Sequence, residues 1–227
     1  MSISTDLKLF YPKYNHAYFH DQVVIEETET KATVRKLIFK NSNFHFVDTK
    51  MIEDCTSLFH MVAPSNPSSH EILKKDCDGI ILFQNEADKF FFLVELKSGF
   101  STTELFSAMH QIISSYIKSN MLMHLLATYE FSDYTFKAFI ACHPPKDDYK
   151  VTLSKQLLMS TTSKYRTEAE FASNLYLKKE TTIRPVDCEK LRGLNLNQKC
   201  IFPQLIFHYI EVPIGTKSVD IDVMQYV

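Results

Sequence analysis

The chain has no tryptophan, only four glycines among 227 residues, and no apolar run approaching the roughly eighteen residues of a membrane-spanning helix. Gly79, Gly99, Gly193 and Gly215 are too scattered to write a dinucleotide fingerprint or a phosphate-cradling GxxxxGK loop, so nucleotide enzymes of those kinds are excluded. Cys55, Cys77, Cys142, Cys188 and Cys200 are odd in number and form no CxxC. They read as reduced thiols of a cytoplasmic protein, not as a disulfide scaffold or a zinc knuckle. The opening residues Met1 to Asp6 lack the cationic start and apolar stretch of a signal peptide. No GxSxG or HExxH is present, which leaves serine-hydrolase and zincin readings without support. Charge of either sign is also nearly absent in net terms: 25 Lys and Arg stand against 27 Asp and Glu. Bulk electrostatics therefore supplies no case for nucleic acid, although a local groove can be basic on a neutral protein, and twelve Lys or Arg outnumber seven Asp or Glu between Lys137 and Lys199.

What the chain does have is 45% apolar residues in short, well-punctuated runs. Strands are expected at Val23 to Ile25, Thr33 to Phe39 and Phe44 to Val47, with Asn41-Ser42-Asn43 as a turn. Apolar residues at Ile52, Cys55, Leu58, Phe59 and Val62 predict a helix over 51–62, which Pro64 and Pro67 end. Ile80 to Phe83 and Phe90 to Val94 read as a hairpin, apolar on both faces and hence central in a sheet. Ser101-Thr102-Thr103-Glu104 is a capping box. It opens a helix carrying Leu105, Met109, Ile112, Ile113, Tyr116, Ile117 and Met121, expected to reach about Ala127. A strand follows from Tyr134 to Cys142, stopped by His143-Pro144-Pro145; two helices near 153–159 and 168–177 and strands at 205–212 and 219–223 complete the reading. The expected fold class is α/β, with a mixed central sheet flanked by helices. One domain is expected, with a core at about 48–145, β-rich N-terminal strands over 1–47 and an α+β elaboration over 146–227.

Charged residues end both strands of the central hairpin on the same side: Asp76-Cys77-Asp78-Gly79 leads into the first, and Glu95-Leu96-Lys97-Ser98-Gly99 leaves the second. With the turn centred between Glu86 and Ala87, Phe83 faces Phe90, Ile81 faces Phe92, Asp78 faces Glu95 and Asp76 faces Lys97. Opposed residues and residues two apart share a sheet face, so these four charged groups are expected in one cluster. Opposed carboxylates repel, and a raised pKa, a neighbouring cation or a bound hard metal relieves them. The bland alternative is a salt-bridged polar end to a buried hairpin. The tripeptide pattern D/E-x-K alone decides nothing, because it recurs at Asp6-Leu7-Lys8, Glu29-Thr30-Lys31, Asp48-Thr49-Lys50 and Asp148-Tyr149-Lys150. Its context in a strand, a hairpin and a capped helix sets the Glu95 instance apart.

That context, over about residues 70–142, resembles the PD-(D/E)xK nuclease superfamily, although Cys77 stands where the name has proline. The resemblance implies a restriction-endonuclease-like core and Mg²⁺ or Mn²⁺ held by Asp78, Glu95 and the Leu96 carbonyl. It further implies that Lys97 assists the attacking water, that Gln111 approaches the site from the helix, and that an upstream acid contributes, for which Glu53, Asp54 and Glu71 are candidates and Glu53 is preferred. The activity implied is phosphodiester hydrolysis in DNA, with RNA as the alternative substrate and a non-catalytic binding or assembly subunit as the alternative role. A regulatory protein partner or homo-oligomer, and a place as effector of a prokaryotic antiviral defence system, are narrower expectations of the same resemblance.

Overall fold

The computed structural model describes residues 3–57, 71–159, 163–191 and 196–227. The elements that frame the centre are β1 (Ala17–Phe19), β4 (Phe44–Val47), β5 (Gly79–Asn85), β6 (Asp88–Leu96), β7 (Tyr134–Cys142), β8 (Glu180–Ile183) and β9 (Leu205–Glu211). They form one seven-stranded sheet in the order β1-β4-β5-β6-β7-β9-β8. Neighbours run antiparallel from β1 to β6, parallel from β6 through β7 to β9, and antiparallel again at β8. The fold is α/β with a mixed central sheet. The hairpin strands β5 and β6 occupy inner positions, which is why both of their faces are apolar.

Alternation along those strands splits the core in two. Ile80, Leu82, Phe91 and Leu93 face a helical layer that includes Leu105, Met109, Ile112, Ile113, Tyr116 and Ile117 of the long helix α3 (Thr102–Met123). The same layer takes in Leu153 of α4 (Asp147–Met159) and Ala169, Ala172 and Leu175 of α5 (Ser163–Lys178). Ile81, Phe83, Phe90, Phe92 and Val94 face the other way, against Val23, Ile25, Leu37 and Phe39. These last residues belong to a second sheet, β10-β3-β2, in which β3 (Lys36–Lys40) pairs antiparallel with β2 (Gln22–Glu26) and parallel with β10 (Ser218–Asp222). One face of the central sheet is thus covered by helices and the other by a small sheet that joins the two ends of the chain.

The hairpin register is as the sequence predicts, with Phe83 opposite Phe90 and Ile81 opposite Phe92; the strands run closer to the turn than expected, and Glu86 takes a positive φ of 52° to close it. Ser101 caps α3 by accepting the Glu104 N–H at 3.2 Å. The helix ends at Met123, short of the expected 127. His124 caps it, and its ring Nδ1 lies 2.6 Å from the Asn120 carbonyl, a terminal carbonyl that is thereby satisfied locally. The expected strand from Thr33 begins only at Lys36, because Thr33 is drawn away to Ser98. Of the helix expected over 51–62, α2 accounts for Thr49–Cys55, and residues 58–62 lie outside the described ones. Helix α1 (Ile3–Phe10) and the short edge strands β1 and β8 have no counterpart in the sequence reading. All five cysteines are free. Among the described residues no helix is long and apolar enough to cross a membrane.

Candidate functional site

Strand β6 ends at Leu96 beside β7, and the Lys97 N–H continues the pairing by donating to the Ala141 carbonyl at 2.9 Å. The backbone is therefore held in the sheet up to and including Lys97. β6, β7 and β9 are parallel, so their carboxyl ends lie on one side of the sheet, the side where open α/β sheets place their ligands. On that edge Glu95 is 1% exposed. Its Oε1 is ion-paired to the Lys97 ammonium, and its Oε2 is buried with no hydrogen-bond partner among the described residues.

Three of the site residues expected from sequence are joined directly or through one intermediate. Lys97 Nζ reaches both Glu95 Oε1 and Gln111 Oε1, the latter at 2.7 Å. Gln111 also accepts from Ser107 Oγ at 3.3 Å and donates from Nε2 to the Asp76 carbonyl at 3.1 Å, so it ties α3 both to Lys97 and to the chain entering β5. Asp78 sits at that entry. Its Oδ2 accepts from the Leu96 N–H at 2.6 Å, and its carboxyl group interacts electrostatically with both Glu95 and Lys97.

Two expectations about acids do not hold in the structure. The register alone sets Asp76 against Lys97, but its carboxylate turns to Lys118 on α3 at 2.7 Å, and only its backbone carbonyl meets Gln111. The preferred upstream acid, Glu53, is an exposed residue of α2 paired with Lys50 at 3.1 Å, and Asp54 is taken up by Lys50, Lys13 and Tyr14. The side chain of Glu71 lies outside the described residues. The acid that does reach the site is Glu27, just past β2, whose charge acts on both Asp78 and Glu95. No sequence signal marks it, since a glutamate in a polar segment looks like any solvated one.

Asp78, Glu95 and Glu27 thus repel one another, and Lys97 offsets part of that charge at Asp78 and Glu95. Burial is the main reason that Asp78 is pushed up to about 7, with Glu27 adding to the shift and the Leu96 N–H and Lys97 opposing it. Burial, and then Asp78, push Glu95 well above the usual carboxylate range against the pull of Lys97. A further cation would relieve this repulsion. Two strongly desolvated carboxyls and an unpartnered buried Glu95 Oε2 fit a small divalent cation, which Asp78 and Glu95, with the Leu96 carbonyl implied by the resemblance, would hold. Among the described residues no three His, Cys, Asp or Glu side chains converge closely enough to form a metal cage by themselves. A Mg²⁺ ion bound by one or two carboxylates, with water and phosphate oxygens completing its shell, needs no such cage.

Gly79 has a packing reason. A Cβ there would lie 2.5 Å from Cδ1 and 2.7 Å from Cγ2 of Ile25, so the small sheet approaches the start of β5 only because this residue has no side chain. No protein-family model, no curated protein and no solved structure matches this chain.

Proposed function

We propose that the chain is a divalent-cation-dependent nuclease that hydrolyses phosphodiester bonds, with DNA as its substrate. The observation that carries this reading is the buried, unpartnered Glu95 Oε2 beside Asp78, with Lys97 held two residues further on at the carboxyl edge of the parallel strands.

Mg²⁺ or Mn²⁺, when bound, supplies the Lewis acid that acidifies water and neutralises charge on the phosphate. The chain's own groups do the rest. Asp78 and Glu95 present oxygen donors whose repulsion favours a cation over an empty site, and the Leu96 N–H fixes Asp78 in place. Lys97, steadied by Gln111, offers an ammonium that can donate to a non-bridging phosphate oxygen and orient the attacking water. The new bond is water oxygen to phosphorus, and the bond broken is phosphorus to the leaving sugar oxygen.

Purified full-length chain should cleave plasmid or single-stranded DNA in Mg²⁺ or Mn²⁺ and fall silent in chelator, with RNA tested in parallel. Glu95→Ala should abolish cleavage while retaining a cooperative thermal transition. Undiminished cleavage by a folded Glu95→Ala variant overturns the reading.

A further inference from the structure

Helix α3 carries a lysine that the reaction does not use. Lys118 is 0% exposed, although it lies in a helix most of whose buried positions are apolar core. Its ammonium bridges both oxygens of Asp76, at 2.7 and 2.8 Å, and donates to the Leu73 carbonyl at 3.2 Å. One turn earlier, Ser115 Oγ donates to Asp76 Oδ1 at 3.2 Å and accepts the Cys77 N–H at 2.8 Å. One turn earlier again stands Gln111, donating to the Asp76 carbonyl at 3.1 Å. Gln111, Ser115 and Lys118 follow helical spacing and form a rail along one side of α3. These contacts with the strand entry fall on Leu73, Asp76 and Cys77, the residues that lead directly into Asp78.

We propose that Lys118, through Asp76 and Ser115, is a positioning residue that fixes the entry to β5 so that Asp78 is aimed at Glu95. This rests on the reading of Asp78 and Glu95 as cation holders. A buried ion pair is a poor source of stability compared with apolar side chains of similar size, because desolvating both charges offsets most of their attraction. Its geometric value is different: a bidentate pair allows one placement of Asp76, where an apolar contact would allow several. Ligand-orienting residues of this kind set metal affinity without touching the metal.

The test compares wild type with the charge-neutral double variant Lys118→Met/Asp76→Asn, in which the new amide oxygen can still accept from Ser115. Hydrogen exchange of residues 73–78 is measured in chelator, and Mn²⁺ affinity is measured by titration with thermal-shift detection. The double variant should keep a cooperative transition and exchange its Cys77 amide about tenfold faster, while binding Mn²⁺ about tenfold more weakly. Ser115→Ala, which removes the Cys77 contact and leaves the ion pair, should reproduce the faster exchange. Wild-type exchange and wild-type Mn²⁺ affinity in a folded double variant would overturn the proposal and leave Lys118 as a core residue. If wild type binds no Mn²⁺ and cleaves nothing, the nuclease reading fails, while exchange at residues 73–78 still decides whether the rail fixes the strand entry.

Discussion

Asp78 and Leu96 are joined across the mouth of the central hairpin by a 2.6 Å hydrogen bond from the Leu96 N–H to Asp78 Oδ2. The bond occupies a carboxylate lone pair with the backbone of the other strand, one residue past Glu95. It fastens Asp78 to the strand that carries the second acid despite their repulsion, and burial leaves that carboxyl hard to ionise. The consequences can be measured.

Asp78→Asn should stabilise the protein in chelator at pH 8, by on the order of 2 kcal/mol, given the size of the shift and the partial exposure of the group. A folded-state pKa raised to about 7 means that wild type gains stability by keeping a proton at low pH and loses it as pH rises through 7. The advantage of the amide should therefore shrink on acidification and vanish below about pH 4, the range where an unfolded aspartate also protonates. Denaturant titrations at pH 4, 6 and 8 check the sign. With saturating Mg²⁺ the order should reverse, since only wild type keeps the full ligand set.

Glu27→Gln removes a charge that raises Asp78, so Asp78 should titrate lower than in wild type. Carboxyl-carbon NMR titration of the two proteins reads this directly. An unchanged Asp78 midpoint would mean that Glu27 does not act on the site.

Gly79→Ala should cost about 1–3 kcal/mol, because the new Cβ meets Cδ1, Cγ2 and Cγ1 of Ile25 all within 3 Å. A β-branched side chain cannot clear this by moving its tip alone. The remedy is to remove it: Ile25→Ala should cost less in the Gly79→Ala background than in wild type. A double-mutant cycle by chemical denaturation with no coupling would contradict the packing account.

His208 stacks on Phe139 at 5.2 Å between ring centres and is pushed down to about 4, by burial and then by Lys137, in spite of Glu180 at 3.7 Å. Its folded pKa lies below the ordinary value of 6.5, so the unfolded chain binds the extra proton and stability falls as pH drops from about 6.5 towards 4. Replacing His208 by Gln should therefore cost less at pH 5 than at pH 7.5, by about 2 kcal/mol. Paired urea melts at the two pH values provide the comparison.

Features set by near neighbours were legible in the sequence. The hairpin register followed from a turn at Glu86 and Ala87 and from apolar strands of matching length, and it carried Asp78 and Glu95 to the same end. The capping box located the start of α3, and the resemblance pointed to Gln111, whose side chain meets Lys97. Short edge strands such as Ala17–Phe19 escaped, because three residues show no period. Which charges meet was a matter for the folded chain. Glu27 and Asp78 lie far apart in sequence and come together because the small sheet packs on the central one; Glu53 resembles Glu27 in type but stays on an exposed helix with Lys50. Lys118 read as one cation among twenty-five, and packing buried it against a half-buried partner, Asp76. Gly79 stands in the sequence as one of four scattered glycines, and the contact that requires it is a side chain of the second sheet. Local periodicity carries secondary structure and register, whereas the partner of a charged group is set by long-range packing that no window of sequence contains.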